Sequence, residues 1–165
     1  MPTRSARILS TAALSLAALA PPGHAADRAS RAFAQYPSGR VTIEGHDRAG
    51  WRHDFQVWVA DTPERQERGL MFVKRMAKDR GMLFPMTPPH PTAFWMKNTV
   101  IPLDIIFIGP DGRIMRIAER AEPQSLQTIP SMGIAGSVLE LNAGTAQKLD
   151  IEPGDTVSFV PTPAH

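Results

Sequence analysis

The sequence predicts an α+β domain rich in strands, a compact twisted or barrel-like sheet, mostly antiparallel, with two short helices. Three observations carry this prediction. Short runs rich in β-branched and aromatic residues alternate their faces, as in VTIE, FQVWVA, LDIIFI and TVSFV. Turn chemistry separates them, most clearly in GHDRAG and GPDG. Only two short stretches carry the residues that start a helix.

Taken in order, residues 26–40 mix small, charged and turn-forming types with no period, and a flexible arm is expected there. The globular domain is expected over 41–160 and a tail over 161–165. VTIE at 41–44 and FQVWVA at 55–60 read as two half-buried strands with a turn between them. Thr62, Pro63 and Glu64 then stand where a helix start prefers a hydroxyl cap, a first-position proline and a first-turn acid. A short helix is expected from Pro63 to about Met71.

After Gly81 and a short apolar run, TPPHPT at 87–92 is expected to be a loop, because its prolines suit neither a helix interior nor a central strand. LDIIFI, GPDG and RIMRIAER at 103–120 form the best hairpin pattern in the chain. SVLEL at 137–141 is a further strand, and Asn142 is the expected cap of a helix over AGTAQKL. IEPGD turns the chain into a last strand, TVSFV.

The N-terminus predicts export. Arg4 and Arg7 precede an uncharged, largely apolar run at 8–20, Pro21 and Pro22 break it, and Gly23-His24-Ala25 supplies a small-x-small cleavage pattern. The run is too short to cross a bilayer, which takes roughly 20 apolar residues. A signal peptide over 1–25 and a periplasmic or secreted mature protein are therefore expected, with no membrane span after cleavage. About 140 residues remain, enough for one domain with a real core.

Cleavage removes two arginines and no acid, leaving 16 basic against 16 acidic residues. A neutral chain without a clustered basic face gives no footprint for nucleic acid, so none is expected as a partner. The absence of Cys excludes a thiol nucleophile, a thiolate metal site and a disulfide, and argues against a lipoprotein anchor.

RGLMFV, GMLF, FWMKNTVIPLDIIFI, the GPDG turn, VLELNAG and IEPGDTV occur in an order that resembles the domain of unknown function 192 family, also called uncharacterised protein family 0127. The resemblance spans 57–160. It implies a compact β-rich α+β domain and brings no activity. Its motifs fall on Arg68, Gly69, Leu70 and Met71, on 81–84, on 95–99, on 102–104, and on Glu140 and Gly144.

The densest chemistry is Trp95-Met96-Lys97-Asn98-Thr99 followed by Asp104. An indole wall with a few placed polar groups suits a small polar ligand. The same residues equally suit a Lys97–Asp104 ion pair, an Asn98-Thr99 turn and a core built on Trp95 and Met96. Arg68 and Glu140 are the other motif charges; a bridge from Arg68 to a carboxylate is the first expectation, and anion recognition the alternative.

Three readings stay open: a binding module for a small polar ligand or an envelope protein through Arg68, Trp95, Lys97, Asn98, Thr99, Asp104 and Glu140; an acid/base enzyme using Lys97, Asp104 or Glu140; and a structural or interaction module. A serine hydrolase is not expected, since the serine in GIAGS is misplaced for a nucleophile elbow. His46-Asp47 and His53-Asp54 match no standard zinc spacing, and the scattered methionines read as core filler rather than copper ligands. No cofactor or metal is predicted.

Overall fold

The computed structural model describes residue 29 and residues 31–163. The expected signal peptide lies outside the described residues. Seven strands form one sheet: β1 Ser38–Glu44, β2 Arg52–Val59, β3 Arg80–Phe94, β4 Leu103–Ile108, β5 Ile114–Ala121, β6 Ile129–Asn142 and β7 Thr156–Pro161. Helix α1 spans Pro63–Arg68 and α2 spans Thr145–Leu149. The sheet order is β5-β4-β6-β3-β2-β1-β7, and every pair is antiparallel except β2 with β3.

The ladder is not closed, yet its two edges touch. Arg113 bridges Thr156, and the Ile114 and Val157 N–H groups donate to the Asp155 and Gly112 carbonyls at 2.9 and 2.7 Å. Pairing the first residues of both edge strands leaves less exposed backbone to recruit other chains.

The period-two pattern of β4 decides the interior. Leu103, Ile105 and Phe107 point into one apolar layer, Ile106 and Ile108 into the other, and all are buried. The first layer contains Met82, Phe84 and Val138, and the second Leu139, Leu141 and Ala146. Neighbouring positions on one strand therefore serve different cores.

Four expectations are corrected. The described part of the expected arm, 31–40, contains more order than a flexible arm: β1 begins at Ser38, and Phe33, 1 % exposed, packs its ring on Trp58 and Tyr36 at 4.8 and 4.9 Å. TPPHPT belongs to β3 rather than to a loop. Its prolines are tolerated because the pairing with β6 shifts register between Pro85 and His90 and again between Pro91 and Ala93, where ladder donors are not required.

Helix α1 stops at Arg68, where Gly69 takes φ 45°, a conformation open to glycine. Asn142 does not cap α2: its side-chain amide donates to the Met76 and Ala77 carbonyls at 3.3 and 2.9 Å. A carboxylate from β4 takes over that end of the helix.

Candidate functional site

Glu140 sits on β6 between Met82 of β3 and Ile105 of β4, its direct partners across the two ladders. The next row on the same face is Phe84, Val138 and Phe107. The carboxyl is thus planted among hydrocarbon. Glu140 is 5 % exposed, and its Oε2 is the one buried side-chain polar atom without a hydrogen-bond partner among the described residues. Burial pushes its pKa up to about 8, so it holds its proton at neutral pH.

The other deeply buried carboxylates show what satisfaction looks like. Asp104 is fully buried, and its Oδ1 accepts from the Arg120 and Gly144 N–H groups at 2.9 and 3.0 Å while Oδ2 accepts from Ala146 N–H at 2.9 Å. Asp155 accepts both from the Arg48 guanidinium and from the His46 and Glu152 N–H groups. These two are structural. Glu140 is not held in this way.

Above Glu140 lies a cavity of ≈ 190 Å³. Its walls come from three segments: the end of α1 and the turn after it, the outer half of β3, and the loop between β3 and β4. Arg68, Trp95, Lys97 and Thr99 line it with Glu140. Five sequence-predicted site residues are therefore brought together. Two are not.

Asp104 is corrected first. It faces the opposite layer of the sheet from Glu140, and its oxygens are spent on three backbone donors, so it neither lines the cavity nor pairs with Lys97. Two of those donors belong to left-handed residues, Arg120 at φ 52° and Gly144 at φ 78°, and the third, Ala146, lies in the first turn of α2. The carboxylate is a clamp for this corner.

Asn98 is the second correction. At φ 56° it makes the turn, its carbonyl accepting from Phe72 N–H at 2.9 Å, and it is absent from the cavity wall.

Lys97 lies over the Trp95 ring at 5.0 Å, and both are exposed at the cavity mouth. Arg68 sits over the Phe33 ring at 5.7 Å and, among the described residues, makes no bridge to a carboxylate. Among the described residues, two cations thus stand at the mouth without an ion pair to an acid. Thr99 is buried, its hydroxyl donating to the Lys97 carbonyl at 3.4 Å.

Sequence reasoning missed His90, Thr92 and Phe94, which line the cavity from β3. Their spacing of two was the available clue, hidden by the prolines around it. His46 meets Arg113 at 3.0 Å, the His53 ring meets Trp51 edge-on at 4.8 Å, and no cluster of three metal-ligating side chains exists among the described residues.

The fold and the site together define a strand-rich domain with a small cavity over an unpartnered carboxyl. A family model for DUF192, described as Uncharacterized ACR, matches residues 45–159, and the chain belongs to that family. A crystal structure from Sinorhizobium meliloti 1021, described as that of a candidate transcription regulator, is 43% identical with a TM-score of 0.72, covering 75% of this chain and 95% of its own.

A protein of unknown function from Novosphingobium aromaticivorans DSM 12444 is 44% identical with a TM-score of 0.69, covering 72% of this chain and 83% of its own. No curated protein matches.

Proposed function

We propose that this domain is an exported, non-catalytic binding module that takes a small polar ligand into the cavity above Glu140. One observation carries the proposal. A carboxyl oxygen is buried without a partner at the floor of an open cavity, where a missing hydrogen bond costs about 1–3 kcal/mol. A ligand that supplied the partner would recover that energy on binding.

Larger hollows of ≈ 310, ≈ 380 and ≈ 410 Å³ occur on the surface, but none is lined by Glu140, the residue with the buried unpartnered polar atom. At ≈ 190 Å³ the cavity is below the usual range for drug-sized ligands, which points to a molecule of few heavy atoms.

The acid/base reading keeps only Glu140. Of its other two residues, Asp104 is committed to backbone donors and Lys97 rests over the Trp95 ring. A purely structural module leaves the partnerless carboxyl unexplained. The regulator description of the Sinorhizobium relative would suggest DNA, but α1 and α2, of six and five residues, are too short for a recognition helix, and the charge expected after cleavage is balanced.

Thermal shift of the mature chain against a library of small polar molecules tests the proposal. A true ligand at a hundred times its Kd adds about 2.7 kcal/mol of stability. A library that neither stabilises the protein nor alters Trp95 fluorescence would defeat it. Export is checked separately: N-terminal sequencing of protein from a periplasmic fraction should begin at Ala26.

A further inference from the structure

We infer that the ligand is a small zwitterion, its ammonium against Glu140 and its anionic end between Lys97 and Arg68, and that its entry releases the Glu140 proton to solvent. The inference rests on the proposed binding cavity and adds the ligand class. Three features of the cavity argue for it.

The first is the floor. Glu140 is surrounded on the sheet by Met82, Ile105 and Val138, and no salt bridge reaches it among the described residues. A charge in such a place is strongly favoured only by a counter-charge brought to it, because the low-dielectric surroundings that penalise an isolated carboxylate also strengthen its attraction to a cation. An ammonium supplies both the counter-charge and the donor that Oε2 lacks.

The second is the mouth. Arg68 and Lys97 line the same cavity, and among the described residues they rest over the Phe33 and Trp95 rings rather than on acids. A ligand that was only a cation would meet this pair on entry. A ligand with an anion at its other end satisfies mouth and floor together.

The third is the rest of the lining. The titratable and charged groups facing the cavity are Glu67 and Arg68 from α1, His90 from β3, Lys97 from the connecting loop and Glu140 from β6. Trp95, Phe94 and Met86 fill the wall between mouth and floor, which suits a short hydrocarbon spacer.

The proton balance is simple. The neutral carboxyl loses H⁺ to solvent, and the carboxylate pairs with an ammonium that was already charged. The group is protonated at pH 7 in the free protein, so close to one proton should leave per ligand bound.

Calorimetry on the mature chain with four probes of similar size tests this: 4-aminobutyrate, n-butylammonium, butyrate and glycerol. The zwitterion should bind tightest, and its enthalpy at pH 7 should vary between phosphate and Tris buffers as release of nearly one proton requires. Glu140→Gln should weaken it about 10- to 100-fold and abolish the buffer dependence. Lys97→Met should reduce the preference for the zwitterion over n-butylammonium while leaving proton release intact.

Tighter binding of glycerol or butyrate, or zwitterion binding without proton release, overturns the inference. If none of the four binds but another small polar molecule still stabilises the protein through Glu140, the ligand class falls and the cavity proposal stands. If no molecule of any charge does so, both fall.

Discussion

Replacing Glu140 with Gln keeps the shape of the side chain and removes its charge at every pH, so stability against pH isolates what burial does to this carboxyl. The folded protein holds the proton up to about pH 8, whereas an ordinary glutamate releases it near 4.5. Between those values the native state binds more protons than the unfolded chain, and stability must fall as pH rises.

At about 1.36 kcal/mol per pH unit, the loss reaches about 3 kcal/mol by pH 7 and about 5 kcal/mol above pH 8. Both are upper values, because water entering the cavity solvates part of the group. Near pH 4.5 wild type and Glu140→Gln should be within about 1 kcal/mol, since each then carries an uncharged, under-satisfied polar head.

At pH 7 the variant should be the more stable by up to about 3 kcal/mol, or roughly 10 °C in Tm for a domain of this size. Urea unfolding followed by tryptophan fluorescence from pH 4.5 to 8.5 measures the difference, and shared titrations elsewhere cancel. A wild-type to variant difference that stays constant with pH would refute the reasoning.

Asp104→Ala leaves three backbone N–H groups, one buried and two part-buried, without their acceptor and should cost about 3 kcal/mol, read by denaturant unfolding. A loss below about 1 kcal/mol would return Asp104 to the list of candidate ligand contacts.

Phe33→Ala should cost about 3–5 kcal/mol by the same assay, because the ring is buried against Trp58 and Tyr36; a surface-arm residue would cost almost nothing. For Asp155, burial pushes the pKa up, but hydrogen bonds from Glu152 N–H, Arg48 and His46 N–H outweigh it and hold the group below its usual 3.8. Its contribution is present above pH 3.8 and lost as pH falls through the folded value. Asp155→Asn should therefore be less stable at pH 7 and show a flatter loss on acidification towards pH 2, followed by circular dichroism.

The parts of the fold that were legible depend on neighbours in sequence. Thr62 does cap α1, accepting from Arg65 N–H at 3.3 Å, and the GPDG turn does close the β4–β5 hairpin. What was not legible depends on partners far along the chain. Proline in TPPHPT forbids an unbroken ladder, but whether the strand continues past a break depends on β6 supplying a register shift, and nothing within the segment records that. Asn142 looked like a cap because it precedes a helix. The helix is served instead by Asp104, 42 residues before Ala146, and Asn142 is free to bind the 76–77 carbonyls.

The site divided in the same way. Lys97 and Asp104 are close in sequence, and that closeness suggested a pair. Strand β4 sends alternate residues to opposite layers, and Asp104 falls on the layer with Ile106 and Ala146, away from the cavity. Glu140 was visible as an acid between two leucines, Leu139 and Leu141, in an apolar strand. Its isolation was not, because it arises from Met82 and Ile105 on the two flanking strands.

The two acids on adjacent strands therefore do opposite work by the same rule. A carboxylate surrounded by backbone donors is consumed in holding the fold, and one surrounded by hydrocarbon is kept available at a cost in stability. Asp104 fixes the corner where α2 meets the sheet, on the layer opposite Glu140. On the proposed reading, so costly a group has its use when a ligand enters the cavity. The excess stability of Glu140→Gln at neutral pH would measure that cost, and the ligand affinity lost with the same substitution would measure what the cost supports.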